Sequence, residues 1–266
     1  MLQPALQLFL GFLCAAFIAY AAYRARSLSR TGAWGALLEG TIIFGLGGWR
    51  WAVLLLAFFV SSSALTRTFA KRKAALSEKF EKDGQRDIGQ VLANGGIAAI
   101  FAGLYFFFPH ASWTWTGFAA SLAAVNADTW ATELGVLNPT LPRLITSWKL
   151  VERGTSGAIS VYGTLAAAGG AALIAVLAGL VRVSGSFWMV AGLATLGGLF
   201  GSMFDSFLGA TVQAIYRCPL CNKETEKHPL HTCGTKTIRM RGWKWLNNDM
   251  VNLGCAMAGA ILGVVL

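Results

Sequence analysis

Residues 187–215 read FWMVAGLATLGGLFGSMFDSFLGATVQAI, an apolar stretch with a single ionisable side chain, Asp205. About 20 apolar residues cross the hydrocarbon core of a bilayer as a helix, so this segment predicts a membrane span that carries a carboxylate. Seven further stretches have the same apolar character: 5–23, 33–48, 51–65, 88–108, 114–136, 158–181 and 250–266. The second and third are short and separated only by Trp49 and Arg50, so they read as two helices, a tight hairpin or a re-entrant pair. The expected fold class is therefore all-α, a polytopic transmembrane bundle of seven or eight helices.

The whole chain agrees with its most apolar segment. Of 266 residues, 55% are hydrophobic and 13% charged, against about 25% charged in an average soluble domain. Extended disorder, a disulfide scaffold and a soluble domain are excluded, and residues 1–266 read as one integral membrane domain. The net charge is +10, but its distribution is a topology signal. Twenty of the 22 basic residues fall on alternate loops, leaving only Arg50 and Arg182 on the other side. Lys and Arg collect on cytoplasmic loops, so eight helices put both termini outside and four basic loops inside, as in a bacterial or archaeal plasma membrane. No recognition motif accompanies the charge, and no nucleic-acid partner is expected.

The first apolar run lacks a charged n-region and a small-residue cleavage site, so it is expected to stay in the membrane. The segment from Thr66 to Asp87 mixes charges at near-helical spacing with Phe69, Leu76 and Phe80, the pattern of a surface helix at the headgroups.

An ionisable group inside the membrane is costly, so each one asks for a partner or a function. Asp128 and Glu133 lie in the fifth span, Asp205 in the seventh and Asp249 at the start of the eighth, all near the predicted cytoplasmic ends. Glu133 is five residues from Asp128, about 140° around a helix, so a straight helix does not aim both at one ion. Gln90 and Asn94 share a face of the fourth helix behind Arg86 and Asp87, and Asn247, Asn248, Asp249 and Asn252 open the eighth. Ser202, Asp205, Gly209 and Gln213 form a small and polar stripe that predicts a protein-facing surface. Four helices thus bring polar groups to one depth. Glu39, in the second span, stands apart and reads as a carboxylate paired with a buried donor or lying at an interface.

The loop after the fifth span carries Arg143, Lys149 and Arg153, then Gly154, Thr155, Ser156 and Gly157. Glycines flanking two hydroxyls ahead of a helix free backbone N–H groups for an anion, and the helix dipole favours it. An ordinary N-cap has the same residues. Basic groups and glycines on one side and carboxylates on the other predict a phosphate site beside a divalent metal.

Within the inner loop 217–247, Cys218 and Cys221 form a C-x-x-C pair, and His231 and Cys233 follow ten residues on, with His228 between. These four can complete a tetrahedral Zn2+ site, and a reducing cytoplasm disfavours a disulfide. Four protein ligands close such a site and make it structural. The alternative is an inert loop with incidental thiols. Cys14 and Cys255 read as packing residues.

In order along the chain, Gly84-Gln85-Arg86, Gln90-Val91-Leu92-Ala93-Asn94-Gly95, Asp128-Thr129-Trp130-Ala131-Thr132-Glu133-Leu134-Gly135 and Pro142-Arg143-Leu144-Ile145-Thr146 are followed by Arg153-Gly154-Thr155-Ser156-Gly157, Asp205-Ser206-Phe207-Leu208-Gly209-Ala210 and Asn247-Asn248-Asp249-Met250-Val251-Asn252. Together they resemble the phytyl-phosphate kinase family of integral membrane proteins, from about Gly84 to the C-terminus. The family is distantly similar to the CTP-using dolichol and phytol kinases and to CDP-diacylglycerol synthase. The resemblance implies phosphorylation of an isoprenoid monophosphate to the diphosphate, with CTP as donor. Some relatives lack the Cys/His insert, so zinc lies outside the shared chemistry.

On this expectation Asp128 and Asp205 hold Mg2+, with Asp249, Asn252 and Glu133 as further ligands or orienters. Arg143, Lys149, Arg153 and the Gly154-Thr155-Ser156-Gly157 turn hold the donor phosphates, assisted by Arg86, Gln90 and Asn94. Asp128, Asp205, Asp249, Lys149 and Arg153 form the expected catalytic set. The tail would lie near Ala166, Gly169 and Gly170, or near Gly197, Gly198 and Gly201, residues that close helix packing also explains. The expected partners are the lipid phosphate, the nucleotide and a second copy of the chain in a homodimer. Rival readings are a lipid-alcohol kinase, a cytidylyltransferase making a CDP-lipid, and a transporter. Transporter sites sit near the bilayer midplane, unlike this cluster.

Overall fold

The computed structural model describes residues 4–73, 78–80 and 84–266. Among them are eight α-helices: α1 (Pro4–Arg24), α2 (Arg30–Ile42), α3 (Trp49–Lys73), α4 (Ile88–Phe107), α5 (Ser112–Gly135), α6 (Val161–Leu180), α7 (Phe187–Thr211) and α8 (Asn248–Val265). Six of these, all but α2 and α5, are long and apolar enough to cross a membrane. Six helices thus qualify as candidate spans by length and apolarity alone, where seven or eight were expected.

The two exceptions have different causes. α2 is a 13-residue helix that passes into a π-helical turn, Ile43–Gly47, and stops at Gly48, whose φ of +88° suits a residue without a Cβ. The second segment therefore ends in a distorted turn, and α3 starts two residues earlier and runs further than the apolar run 51–65 indicated. α5 has 24 residues, ample length, but too many polar ones for lipid. It sits at the centre of the bundle, packed by α3, α4, α6, α7 and α8. Its buried hydroxyls bond back to its own chain, Thr114 Oγ1 to Ala111 O at 2.7 Å and Ser121 Oγ to Phe118 O at 2.8 Å. A helix surrounded by protein has no need of an apolar face for lipid.

Small residues draw the helices together. A Cβ on Gly201 of α7 would lie 2.5 Å from Ala124 Cβ of α5 and 2.7 Å from Cys255 O of α8. One on Gly198 would lie 2.8 Å from Ala171 Cβ, and one on Gly197 2.7 Å from Gly259 O. Gly197, Gly198 and Gly201 are therefore close helix contacts, the packing reading that the sequence also allowed. Nearer α3, Trp51, Tyr105, Trp115 and Phe118 form an aromatic cluster with centroids 4.5–5.7 Å apart. α4 links the α5–α8 bundle to α2 and the 43–47 turn, against which α1 packs.

The chain is not purely helical. β1 (Arg143–Leu144) pairs with β2 (Ala158–Ile159) in the loop before α6. Between α7 and α8, β3 (Ile215–Cys218), β4 (Lys223–Thr225) and β5 (Ile238–Arg241) form an antiparallel sheet in the order β4-β3-β5. The expectation of a surface helix from Thr66 to Asp87 falls partly outside the described residues; α3 itself continues through Thr66 and Phe69 to Lys73.

Candidate functional site

The ends of α3, α5 and α7 and the starts of α4, α6 and α8 surround a cavity of about 750 Å3. Asp128, Glu133 and Asp205 line it, as do Arg86, Gln90, Asn94 and Asn252, and so do Arg153, Gly154, Thr155, Ser156 and Gly157. Most of the residues singled out in the sequence therefore meet in one space. Arg143, Lys149 and Asp249 are not part of its wall. Arg143 is exposed and donates to Trp148 O at 2.7 Å within its own hairpin, and Lys149 is exposed beside it. Asp249 lies in the first turn of α8, capped by Asn247, while Asn248 and Asn252 face the cavity.

The two carboxylates of α5 reach toward different helices, Glu133 toward α3 and Asp128 toward α7. Glu133 Oε1 accepts from Thr66 Oγ1 of α3 at 3.0 Å, and Glu133 is the charge that acts on Arg86. Arg86 enters from the loop before α4, where its backbone bonds to Ser27 O and Ser29 N at 3.0 Å. Its guanidinium lies over Phe58 and Phe59, 5.4 and 5.9 Å from the ring centroids. Burial pushes its pKa down to about 10, with Glu133 opposing the fall, so Arg86 stays charged at neutral pH.

Asp128 lies instead on the α7 side, within electrostatic reach of Asp205. Asp205 also feels Glu226, and its Oδ2 is buried with no hydrogen-bond partner among the described residues. Carboxylates gathered at one place repel one another, and oxygen-rich clusters of this kind suit Mg2+, which keeps several waters. Asp128 and Asp205, with Asn252 nearby, fit such an ion. Glu133 is engaged instead by Thr66 of α3 and by Arg86.

Glu226, which sequence reasoning passed over, also lines the cavity. It follows β4 in a polar loop, where an acidic residue carries no cost and hence no signal. Its Oε1 accepts from Gln213 Nε2 at 3.0 Å, and Gln213 Oε1 accepts from Ser156 Oγ. Gln213 is buried, 2% exposed, so both ends of its amide are committed.

The glycine-containing loop differs from expectation in one respect. Strand β2 and Ser160 intervene before α6, and Ser160 Oγ accepts from Gly163 N at 3.1 Å as the cap. Thr155 and Ser156 are thus cavity residues rather than helix caps. Gly157, at φ +80°, lies so close to α7 that a Cβ would fall 2.3 Å from Ala210 N. Arg153 donates to Asn138 O and Pro139 O, both at 2.9 Å, while its buried Nε has no partner among the described residues.

Glu39 is 4% exposed at the interface of α2 and α4, where its carboxyl occupies the space a Cβ on Gly95 would need. It lines a second cavity of about 220 Å3, otherwise almost wholly apolar, among α1 to α4. Arg86, Gln90 and Asn94 belong to both cavities.

Cys218, Cys221, His231 and Cys233 present ligand atoms that all lie within 4.8 Å of one another. Cys218 Sγ is 3.5 Å from Cys233 Sγ, and His231 Nδ1 is 3.2 Å from Cys233 Sγ. Contacts with Thr235 and then His231 hold the Cys233 thiol down to about 5, whereas its bond with Cys233, then burial, push Cys221 up to about 11. His228 stands outside the cluster, stacked on Tyr216 at 4.4 Å. Of the two remaining cysteines, Cys255 is buried as expected but Cys14 is exposed on α1 and packs little.

A membrane bundle with a charged cavity at one end of its helices defines the class: a polytopic integral membrane protein. The chain belongs to the family described as integral membrane protein DUF92, which it matches over residues 13–260. It is similar to Protein PGR of Arabidopsis thaliana, with 32% identity across 94% of this chain and 92% of that one. It is equally similar, at 32%, to the uncharacterized membrane protein MJ0933 of Methanocaldococcus jannaschii, across 100% of this chain and 96% of that one. Protein VTE6, chloroplastic, of Arabidopsis thaliana is 26% identical across 90% of this chain and 65% of its own length. No solved structure matches.

Proposed function

We propose that this protein is a Mg2+-dependent lipid-phosphate kinase that transfers a phosphoryl group from a nucleoside triphosphate, CTP by family resemblance, to an isoprenoid monophosphate at the cytoplasmic membrane face. One observation carries the reading. A single cavity is lined on one wall by Asp128, Asp205 and Glu226 and on others by Arg86, Arg153 and the 154–157 loop, the pairing of metal and phosphate groups that phosphoryl transfer uses. The blocks that resemble the phytyl-phosphate kinase family supply most of that lining.

In this reading Asp128 and Asp205 hold the metal, with Asn252 as an orienter. Mg2+, when bound, neutralises developing charge on the transferred group. Arg153, Thr155 and Ser156 hold the donor phosphates, and Arg86 holds the acceptor phosphate. An oxygen of the lipid monophosphate attacks the γ-phosphorus, the bond from that phosphorus to the β,γ-bridging oxygen breaks, and the nucleoside diphosphate leaves with the electron pair. The second pKa of a phosphomonoester is about 6, so the attacking oxygen is already ionised and the site needs no general base. The tail extends into the smaller apolar cavity, which adjoins the first at Arg86, Gln90 and Asn94. Basic loops on one side of the bundle support the cytoplasmic orientation.

The test is to incubate purified protein with Mg2+, each of CTP, ATP, GTP and UTP, and phytyl or geranylgeranyl monophosphate, and to weigh the lipid products. A gain of one phosphate is expected. A gain of CMP would make the protein a cytidylyltransferase, phosphorylation of the free alcohol alone would make it an alcohol kinase, and no nucleotide consumption by folded protein would contradict the reading.

A further inference from the structure

We propose that Cys218, Cys221, His231 and Cys233 bind one Zn2+ whose task is to hold Glu226 in the wall of the polar cavity. The inference concerns the metal of the β3–β5 loop and stands apart from the choice of phosphoryl chemistry.

The ligand set comes from two tight turns that face each other. Cys218 ends β3 and Cys221 lies in the turn to β4, where Cys221 N donates to Cys218 Sγ at 3.4 Å and Asn222 N to Cys218 O at 2.9 Å. Such amide-to-sulfur bonds steady a thiolate as a metal ligand. The second turn is closed by His231 N to Thr235 O at 2.9 Å and Gly234 N to His231 O at 2.8 Å, with Gly234 at φ +82°. Three sulfurs and one imidazole nitrogen make a closed tetrahedral set, which is structural rather than catalytic.

The sheet also needs a metal. Its three strands have three or four residues each; Ile215 and Tyr216 of β3 are buried, but Leu220, Leu230, Ile238 and Met240 are exposed. Apolar burial is thus confined to β3 and leaves the two ligand-bearing turns without a core of their own, and metal binding supplies folding free energy in such cases.

What the module holds is specific. Thr225 pairs with Tyr216 across β3 and β4, and Glu226 follows directly. Glu226 N donates to Lys79 O at 2.8 Å, and its carboxylate takes the Gln213 amide, which in turn takes Ser156. Lys79 reaches Glu152 at 2.7 Å, and Lys223 of β4 reaches Glu78 at 2.6 Å. The hairpin that carries two of the four ligands is therefore tied by hydrogen bonds to the loop containing Ser156. Without the metal the hairpin loses its register, and Glu226 loses its fixed place beside Asp205.

The experiment measures zinc content by elemental mass spectrometry on purified full-length protein, then compares hydrogen exchange before and after chelator stripping and after zinc is returned. One Zn2+ per chain is expected, lost in the Cys218→Ser, Cys221→Ser double variant. Substituted Co2+ should show thiolate-to-metal absorption. Stripping is expected to speed exchange about tenfold or more at the Glu226 amide and across residues 153–157, with protection restored by zinc. Stripping and return on the wild-type chain keep the test independent of whether the variant folds. Wild-type protein without zinc would overturn the site. Exchange changes that spare the Glu226 amide and residues 153–157 would overturn its link to the cavity.

Discussion

Asn126 of α5 donates from Nδ2 to Gly170 O of α6 at 2.8 Å, and its Oδ1 accepts from Ser61 and Ser62 of α3, each at 3.1 Å. One fully buried amide thus joins three helices two residues before Asp128. Hydrogen bonds between membrane helices are worth about 0.6 kcal/mol on average and up to about 1.7. Asn126→Ala should therefore destabilise the bundle by about 1–3 kcal/mol, read from thermal or detergent unfolding. Activity should fall further than folded fraction, because the turn that aims Asp128 loses its anchor.

The glycines of α7 should behave as packing residues. Gly201→Ala brings a methyl group against Ala124 Cβ and a backbone oxygen of α8, and overpacking of that kind costs about 1–3 kcal/mol. Gly103→Ala meets nothing within 4 Å and should be neutral or stabilising by up to about 1 kcal/mol through helix propensity. Equal melting temperatures for the two variants would place the tail, not a helix contact, at Gly201.

How much of this was legible in the sequence follows from cost. Asp128, Glu133 and Asp205 stood out because a carboxylate in an apolar run has to be explained, and all three line one cavity. Gln90 and Asn94 were found by helical spacing for the same reason. Glu226, Arg143 and Lys149 lie in polar loops, where a charged side chain costs little whether it points at a site or at water. Only the folded chain separates Glu226, turned inward by Gln213, from Arg143 and Lys149, turned outward. The polar composition of α5 likewise reflects neighbours distant in sequence.

The basic residues should divide by position rather than by charge. Arg86 is charged at neutral pH and lines the cavity, so Arg86→Gln should raise KM for the lipid phosphate roughly ten- to a hundredfold, the loss of a charge-assisted hydrogen bond of about 1.5–3 kcal/mol. Arg143→Ala and Lys149→Ala should stay within about twofold of wild type, as exposed charges contribute little. Steady-state kinetics on the three variants decides the matter. A large effect at Lys149 would mean that its loop closes over the site.

The apolar cavity among α1 to α4 should read tail length. Ala36 lines it on α2, and Ala36→Phe fills part of its volume. KM should rise for a geranylgeranyl phosphate and change little for a five-carbon prenyl phosphate. A uniform rise for both would indicate a general packing defect, and no change for either would place the tail elsewhere.

The most direct test of phosphoryl transfer follows the label. Protein in proteoliposomes is given isoprenoid monophosphate and CTP radiolabelled at either the α- or the γ-phosphorus, and the lipid fraction is counted. The account predicts γ-label in the lipid, no α-label, and loss of transfer in Asp128→Asn and Asp205→Asn. Label from the α-position, or γ-label undiminished in both variants, would contradict it.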